Sequence, residues 1–181
     1  MPGRLNSLVQ QDGKRVHNLS FKDLSGGEHR LFELKRKATV LYFIAHDCPV
    51  ANSYVPEMNR IAAKYGRSGM ASFAVYTERD LALEAAKKHH KEYAFQFPAA
   101  LDSNRRLTKE LGATVTPEAF VLDNKGIVNY RGRIDDLYVA LGQRRQSPTH
   151  RDLREVLDAL AAGKAVQYKS TKAVGCFIPT D

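Results

Sequence analysis

The sequence predicts an α/β protein with a central sheet, helices on both faces and an antiparallel edge. An unbroken apolar run, Thr39 to Ala45, is typical of a strand that is buried on both faces. After Cys48, apolar residues recur with a helical period up to Gly66, and this glycine is placed to end the predicted helix. Strand-like and helix-like segments then continue to alternate, and this order is characteristic of sheets with crossover helices.

The first half of the chain contains a hairpin and two strand-helix units. The hairpin is predicted within the first 38 residues, with its turn at Ser25-Gly26-Gly27. Pro49 suits the first position of the helix after the central strand, because proline has no N–H to leave unpaired there. A second strand covers residues 71–76, and Thr77 and Asp80 form a capping-box pattern for the helix that follows.

The second half is less regular. Residues 95–101 are a weak strand candidate, which Pro98 restricts to a sheet edge or a short piece. Ser103 is the predicted cap of a short helix that runs through Leu111. Two further elements are predicted: a hairpin of residues 119–123 and 127–131, and a helix that opens at residues 147–149 and ends at Gly163.

One domain, residues 1–163, accounts for these elements, and a C-terminal tail of residues 164–181 follows it. A length of 181 residues is typical of a single domain, and 43% hydrophobic residues are enough for one core. The tail has no periodicity, yet it contains Cys176. Ile134 to Gln146 is predicted to be a long polar loop. Two cysteines are too few for a disulfide scaffold or a thiolate zinc site, so any role they have is as thiols.

The net positive charge of the chain does not by itself indicate a nucleic-acid-binding protein. Lys and Arg number 28 against 20 Asp and Glu, a formal charge of +8, but the basic residues are scattered without interleaved aromatics, which favours a solvated surface over a nucleic-acid site. No stretch reaches the roughly 18 to 20 apolar residues of a membrane span.

His89 and His90 diverge by about 100° on a helix, so we expect no metal, and we expect no cofactor. We expect a cytoplasmic protein on the sequence as given, and an exported or periplasmic one if a leader precedes it.

Cys48 is the strongest candidate for chemistry. It lies just past the carboxyl end of the buried central strand and at the start of a helix, where first-turn N–H groups and the helix dipole stabilise a thiolate over a thiol. The alternative is that Cys48 is a small buried hydrophobe, as most lone cysteines are. The combination of strand end, helix start and Pro49 favours a reactive thiol. His46 tunes that thiol or points to solvent.

The segment around Cys48 resembles a known family. It reads TVLYFIAHDCPVANSYVPEMNRIAAKYG and is similar to the active-site strand and helix of thioredoxin-like redoxins, specifically the peroxiredoxin-like alkyl hydroperoxide reductase and thiol-specific antioxidant (AhpC/TSA) group. The later segment VTPEAFVLDNKGIVNYRGRIDD resembles the family's second hairpin, and TKAVGCFI resembles the tails of a bacterial subgroup. The resemblance covers about residues 19–163 and implies a thioredoxin-like fold with a central mixed sheet.

The resemblance also implies roles for individual residues. Thr116 and Pro117 occupy the place of the cis-proline opposite the active cysteine, where backbone groups are left to pair with a substrate peptide. Pro56 matches the proline within the thioredoxin helix. Cys176 follows Cys48 by 128 residues, a separation similar to that between the peroxidatic and resolving cysteines of two-cysteine peroxiredoxins, which usually pair between subunits, so a homodimer is a further expectation. An unpaired thiol in a flexible tail is the open alternative for Cys176.

Departures from the family pattern limit what carries over. The second thioredoxin cysteine is replaced by Ala51, or by Ala45 in the other register, so no local dithiol exists. The peroxiredoxin threonine and proline before the cysteine fall on Ala45 and Leu41, and a copper-binding relative would need a cysteine at Asn52. The losses of peroxiredoxin residues favour thiol-disulfide exchange, while the missing second cysteine argues against a fast disulfide reductase.

Two functional hypotheses follow. The first is a thiol oxidoreductase with Cys48 as nucleophile, Cys176 as a possible resolving thiol, and His46, Thr116 and Pro117 as supporting residues. It would act on a disulfide-bearing protein or a peroxide and be reduced by an external thiol, with neither nucleic acid nor membrane as partner. The second is a binding module that recognises a peptide or protein along the Thr116-Pro117 edge, with an incidental Cys48.

Overall fold

The computed structural model of the protein describes residues 13–180, and its secondary structure confirms the predicted α/β class. The strands in chain order are β1 (Ser20–Lys22), β2 (Glu28–Arg30), β3 (Ala38–Ile44), β4 (Met70–Tyr76), β5 (Ala99–Leu101), β6 (Val115–Thr116), β7 (Glu118–Asp123), β8 (Val128–Gly132), β9 (Tyr138–Ala140), β10 (Gln143–Arg144), β11 (Lys169–Ser170) and β12 (Cys176–Phe177). The helices are α1 (Pro49–Gly66), α2 (Leu83–Glu92), α3 (Arg106–Leu111) and α4 (Asp152–Ala161).

The central sheet is mixed and has six strands in the order β11-β8-β7-β3-β4-β5. β3 pairs in parallel with β4 and antiparallel with β7, and every residue of β3 is buried. β5 forms an edge of the sheet, as the proline in that segment predicted. β1 and β2 form the predicted N-terminal hairpin. This architecture confirms the thioredoxin-like sheet that the resemblance implied.

Side chains of β3 alternate between two hydrophobic cores, one on each face of the sheet. Val40, Tyr42 and Ile44 belong to the core that contains residues of α1, α2 and α4. Leu41 and Phe43 belong to the core formed with α3 and the strand pair β7-β8. Because both of its faces are covered, β3 is fixed in position. It therefore holds in place the residues that directly follow its carboxyl end.

Helix starts differ from the sequence predictions. α2 begins at Leu83 with Ala82 as its N-cap, whereas Thr77 is buried and its hydroxyl donates to the Ile44 carbonyl at 3.2 Å. In the short helix, the carboxylate of Asp102 rather than Ser103 accepts first-turn hydrogen bonds, from the N–H groups of residues 107 and 108. α4 opens at residue 152, later than predicted. In each case a polar residue near the predicted start is used for another contact, or a neighbouring side chain caps better.

The polar loop and the tail both contain strands. Within residues 134–146, β9 and β10 form a small antiparallel hairpin. In the tail, β11 pairs in parallel with β8, and β12 pairs antiparallel with β6. Among residues 13–180, no helix is long and apolar enough to cross a membrane.

A buried ionic cluster joins α1 to α4. The Glu57 carboxylate is 6% exposed and accepts hydrogen bonds from Nε of Arg154 at 2.5 Å and from Nε of Arg60 at 2.8 Å. Burial alone would raise the pKa of Glu57, but the hydrogen bonds from Arg154 and Arg60 outweigh it and the pKa lies below its usual value. The cluster therefore stabilises the fold above about pH 4.3, the usual value for glutamate, and the stabilisation is lost as the pH falls further.

Replacement of Glu57 by glutamine should lower the free energy of unfolding by about 2 to 3 kcal/mol at pH 7, because the largely buried guanidinium group of Arg154 loses its counter-ion. Urea unfolding at pH 7 and pH 4 checks this, and the difference from the unmodified protein should shrink at the lower pH. Glu33→Gln is the matched control, since the exposed Glu33 pairs with Arg36 at the same spacing and the pair should contribute less than about 1 kcal/mol. Equal losses for both variants would contradict the assignment.

Candidate functional site

Cys48 lies where the end of β3 turns into α1. It is the N-cap of α1, with extended backbone angles, and its Sγ accepts a hydrogen bond from the Ala51 N–H at 3.5 Å. Pro49 is the first helical residue, as predicted. The side chain is 1% exposed. The sulfur therefore lies at the positive end of an 18-residue helix, with a backbone donor in place for a thiolate.

The Thr116-Pro117 bond lies against Cys48 and is cis, as the resemblance implied. As a thiol, Cys48 donates a hydrogen bond from Sγ to the Thr116 carbonyl oxygen at 3.1 Å, across 68 residues of sequence. Thr116 is 1% exposed. Three of the residues singled out in the sequence thus lie together at one edge of the sheet.

Cys176 joins the same cluster from the tail. In the pairing of β12 with β6, Cys176 lies opposite Thr116. Burial, together with a hydrogen bond to the Cys48 side chain, raises the pKa of the Cys176 thiol to about 12. Cys176 therefore keeps its proton at neutral pH, and both cysteines are free thiols. The two sulfurs are neighbours within one chain.

The tail around Cys176 is fastened on both sides. The N–H of Ile178 donates to the Thr114 carbonyl at 2.9 Å, and the Ile178 side chain is buried in a core. On the other side, a Cβ added to Gly175 would lie 1.9 Å from the Thr116 carbonyl oxygen, so only glycine permits this approach. The position of Cys176 beside Cys48 is therefore set by the fold rather than by chance contact of a loose segment.

His46 supports the turn that carries Cys48. Its backbone N–H and its ring Nδ1 both lie within hydrogen-bond distance of Glu78 Oε1, at 2.6 and 2.7 Å. Its carbonyl accepts from Asn52 Nδ2 at 2.9 Å. The ring is 44% exposed and is held on Glu78, which favours a structural contribution to residues 45–48.

Asn52, Glu78 and His89 contribute to the site although the sequence did not single them out for it. His89 is buried, and its Nε2 lies 2.9 Å from Asn52 Oδ1 while its Nδ1 lies 2.7 Å from the Tyr76 hydroxyl. Burial lowers the pKa of His89, so the ring is neutral at pH 7. The neutral ring links α2 to Asn52, one turn after Cys48. The spacing of four residues between Cys48 and Asn52 is the only sequence signal for this contact.

One group has the composition of a cation site. Ligand atoms of His46, Asp47 and Glu78 all lie within 4.8 Å of one another, although His46 and Asp47 are exposed and Nδ1 of His46 already bonds Glu78. The expectation that the protein uses no metal stays a prediction.

Fold and site together define a thioredoxin-fold protein with a cysteine at the start of α1, a cis-proline opposite it and a second cysteine paired opposite Thr116. The chain belongs to the AhpC/TSA family, whose profile matches residues 13–131. The predicted family is thus confirmed.

Relatives and solved structures agree with this assignment. The thiol-disulfide oxidoreductase ResA of Bacillus thuringiensis is 31% identical over 117 residues, which are 64% of this chain and 66% of the relative. The crystal structure of a hypothetical protein from Sinorhizobium meliloti superposes with a TM-score of 0.79 at 27% identity, over 96% of this chain and 95% of that one. An uncharacterized protein from Geobacillus kaustophilus gives a TM-score of 0.78 at 27% identity, over 96% and 94% of the two chains. The two structural matches include the tail region that the family profile does not reach.

Proposed function

We propose that this protein is a two-cysteine thiol oxidoreductase in which Cys48 is the nucleophile and Cys176 of the same chain resolves it. The observation that carries the proposal is that both cysteines converge on Thr116. Sγ of Cys48 donates to the Thr116 carbonyl oxygen at 3.1 Å, and Cys176 lies opposite Thr116 in the pairing of β12 with β6. A resolving thiol in another subunit would have to displace Cys176 from this position. The geometry therefore favours an intrachain disulfide over the intersubunit disulfide usual in two-cysteine peroxiredoxins.

The first step uses the thiolate of Cys48. The Ala51 N–H is the donor that stabilises it, and this donor is already in place. With a hydroperoxide, the thiolate attacks the terminal oxygen, the O–O bond breaks, an alkoxide or hydroxide leaves, and Cys48 becomes a sulfenic acid. With a disulfide, it attacks one sulfur, the S–S bond breaks, and the other sulfur leaves as a thiolate.

The second step forms the Cys48–Cys176 disulfide. Cys176 attacks Sγ of Cys48, and its proton passes to the leaving group, which is hydroxide from the sulfenic acid or the substrate thiolate from the mixed disulfide. Water or a reduced thiol is released, and two electrons have moved from the cysteine pair to the oxidant. An external thiol must then return two electrons to the protein.

Burial of Cys48 restricts the oxidant. Because its side chain is 1% exposed and β12 lies over it, a hydroperoxide or a small disulfide reaches it more readily than a disulfide in a folded protein. The competing hypothesis, a peptide-binding module, needs a free edge beside Thr116. In this fold β12 occupies that edge, which disfavours the binding module.

Mass spectrometry after one equivalent of hydrogen peroxide, and separately of oxidised glutathione, tests the proposal. The reduced protein should lose two hydrogens, and peptide mapping should join Cys48 to Cys176 within a monomer. Cys176→Ser should accumulate a sulfenic or sulfinic acid, or a glutathione adduct, on Cys48. Cys48→Ser should stay reduced at the same dose. Oxidation that begins at Cys176, or a disulfide found only in dimers, would contradict the proposal.

A further inference from the structure

A chain of side-chain hydrogen bonds runs from the central sheet to the turn before Cys48. The Tyr76 hydroxyl lies 2.7 Å from Nδ1 of His89, and Nε2 of the same ring lies 2.9 Å from Oδ1 of Asn52. At the other end, Nδ2 of Asn52 donates to the His46 carbonyl at 2.9 Å. These three side chains, Tyr76, His89 and Asn52, form the His89 chain. It joins β4 and α2 to the residues that precede the nucleophile.

The donors and acceptors of the His89 chain have one consistent arrangement. Because Nδ2 of Asn52 donates to a carbonyl, its Oδ1 is the acceptor, so Nε2 of His89 carries a hydrogen. Because burial lowers the pKa of His89, the ring is neutral at pH 7 and carries only that one hydrogen. Nδ1 is then the acceptor for the Tyr76 hydroxyl. The ring therefore fixes the orientation of the Asn52 amide.

The His89 chain starts from a rigid part of the fold. Tyr76 is fully buried and is the last residue of β4, where it lies opposite Ile44, the last residue of β3. His89 is also buried. Cys48 follows Ile44 by four residues. The turn of residues 45–48 is thus held covalently by β3 and, through the His89 chain, by β4.

Asn52 holds this turn at two points. Its backbone N–H donates to the Cys48 carbonyl at 3.0 Å, while its side chain reaches the His46 carbonyl. These two contacts fix the backbone on both sides of residue 47 and so set the direction of the Cys48 side chain. The contact that depends on this direction is the one from the Ala51 N–H to Sγ at 3.5 Å. Since a hydrogen bond weakens steeply as its angle closes, a small movement of the turn would remove it.

We propose that His89 is a positioning residue for the reaction at Cys48, and that it acts through Asn52 to keep the thiolate aligned with the Ala51 N–H. The inference rests on the proposed function, in which Cys48 is the nucleophile. Glu78 holds the N–H of His46, so the His46 carbonyl is the part of the turn that depends on the His89 chain. Without the ring, the Asn52 amide is free to rotate, and the turn loses that contact.

The second-order rate constant for oxidation of Cys48 by hydrogen peroxide, followed by acid quenching and mass spectrometry, tests the inference on the full chain. His89→Phe keeps a buried ring but removes both nitrogens, and it should lower this rate constant about tenfold through misalignment of the thiolate. His89→Gln should restore a rate close to that of the unmodified protein, because its amide N–H replaces the ring Nε2–H. The Tyr76 hydroxyl then has the Ala86 carbonyl, 3.4 Å away, as its acceptor.

His90→Phe is the matched control for loss of a histidine from α2. The His90 ring stacks on Phe95, and its Nε2 lies 2.9 Å from the Phe97 carbonyl. It therefore contributes to packing and to one hydrogen bond, as His89 does, but it has no contact with Asn52. We expect this variant to lose stability and to keep the rate constant of the unmodified protein.

A double-variant cycle shows whether His89 acts through Asn52. Asn52 is only partly buried, so Asn52→Ala also tests the chain if His89→Phe fails to fold. It should lower the rate constant as much as His89→Phe, and the double variant should be no slower than either single variant, because both remove the same contact.

The outcomes separate this inference from the proposed function. An unchanged rate in His89→Phe and Asn52→Ala, an equal loss in His90→Phe, no recovery in His89→Gln, or additive losses in the double variant would each overturn the inference. The Cys48–Cys176 disulfide would still form in these cases, and the proposed function would stand. If neither peroxide nor oxidised glutathione reacts with Cys48 in the unmodified protein, the proposed function fails, and the inference fails with it.

Discussion

Oxidation should raise the free energy of unfolding of this protein by about 4 to 5 kcal/mol, because a Cys48–Cys176 bond closes a loop of 128 residues and removes many conformations from the unfolded chain. For a domain of this size, the melting temperature should rise by roughly 10 to 18 °C. The native state needs little adjustment, since the fold already places Cys176 opposite Thr116, whose carbonyl oxygen accepts a hydrogen bond from Sγ of Cys48.

Thermal melts of the reduced and the oxidised protein, followed by circular dichroism, measure this difference. Cys176→Ser and Cys48→Ser are the controls, and neither should show a higher melting temperature after treatment with oxidant. An oxidised protein that melts at or below the temperature of the reduced one would mean that the bond strains the fold or does not form within the chain.

Gly175→Ala should slow formation of the disulfide by about a hundredfold. The added Cβ would lie 1.9 Å from a backbone oxygen of Thr116, and backbone atoms on both strands leave little room for adjustment. β12 should then leave β6, and Cys176 would reach Cys48 only as the end of a flexible tether, at an effective concentration in the millimolar range. Cys48 should become accessible to iodoacetamide at the same time.

The control for this variant is Gly66→Ala, at the end of α1, where nothing lies within 4 Å of the added Cβ. Stopped-flow measurement of disulfide formation after a peroxide pulse should show an unchanged rate for it. If Gly175→Ala forms the disulfide as fast as the unmodified protein, the docking of β12 does not position Cys176.

Local patterns predicted the part of the site around Cys48. The apolar run of β3, the proline after Cys48 and the helical period of α1 are contained in one continuous segment, and each dictates local structure without help from the rest of the chain. The cis-proline came from resemblance rather than from pattern. Its flanking strands then brought it to Cys48, as sheet topology requires.

Pairing of β12 with β6 could not be predicted from pattern. Each of these strands has two residues, too few to show alternation, and their pairing joins positions 60 residues apart. The same limit applied to Asn52 and Glu78, whose roles depend on contacts between elements. The predicted cap of the short helix was wrong for a different reason. Asp102 and Ser103 are both residue types that cap helices well, and tertiary packing decided between them.

The order of synthesis gives the docked tail a further consequence. Cys176 is added 128 residues after Cys48, and at about 5 to 20 residues per second that interval lasts roughly 6 to 25 seconds. During this time the nascent chain contains the nucleophile without its resolving thiol, and β12 is not yet present to cover Cys48. If an oxidant reacts with Cys48 in that interval, Cys176 is not yet present to resolve the oxidised sulfur. Over-oxidised or mixed-disulfide forms should therefore arise mainly on newly made chains rather than on the finished protein.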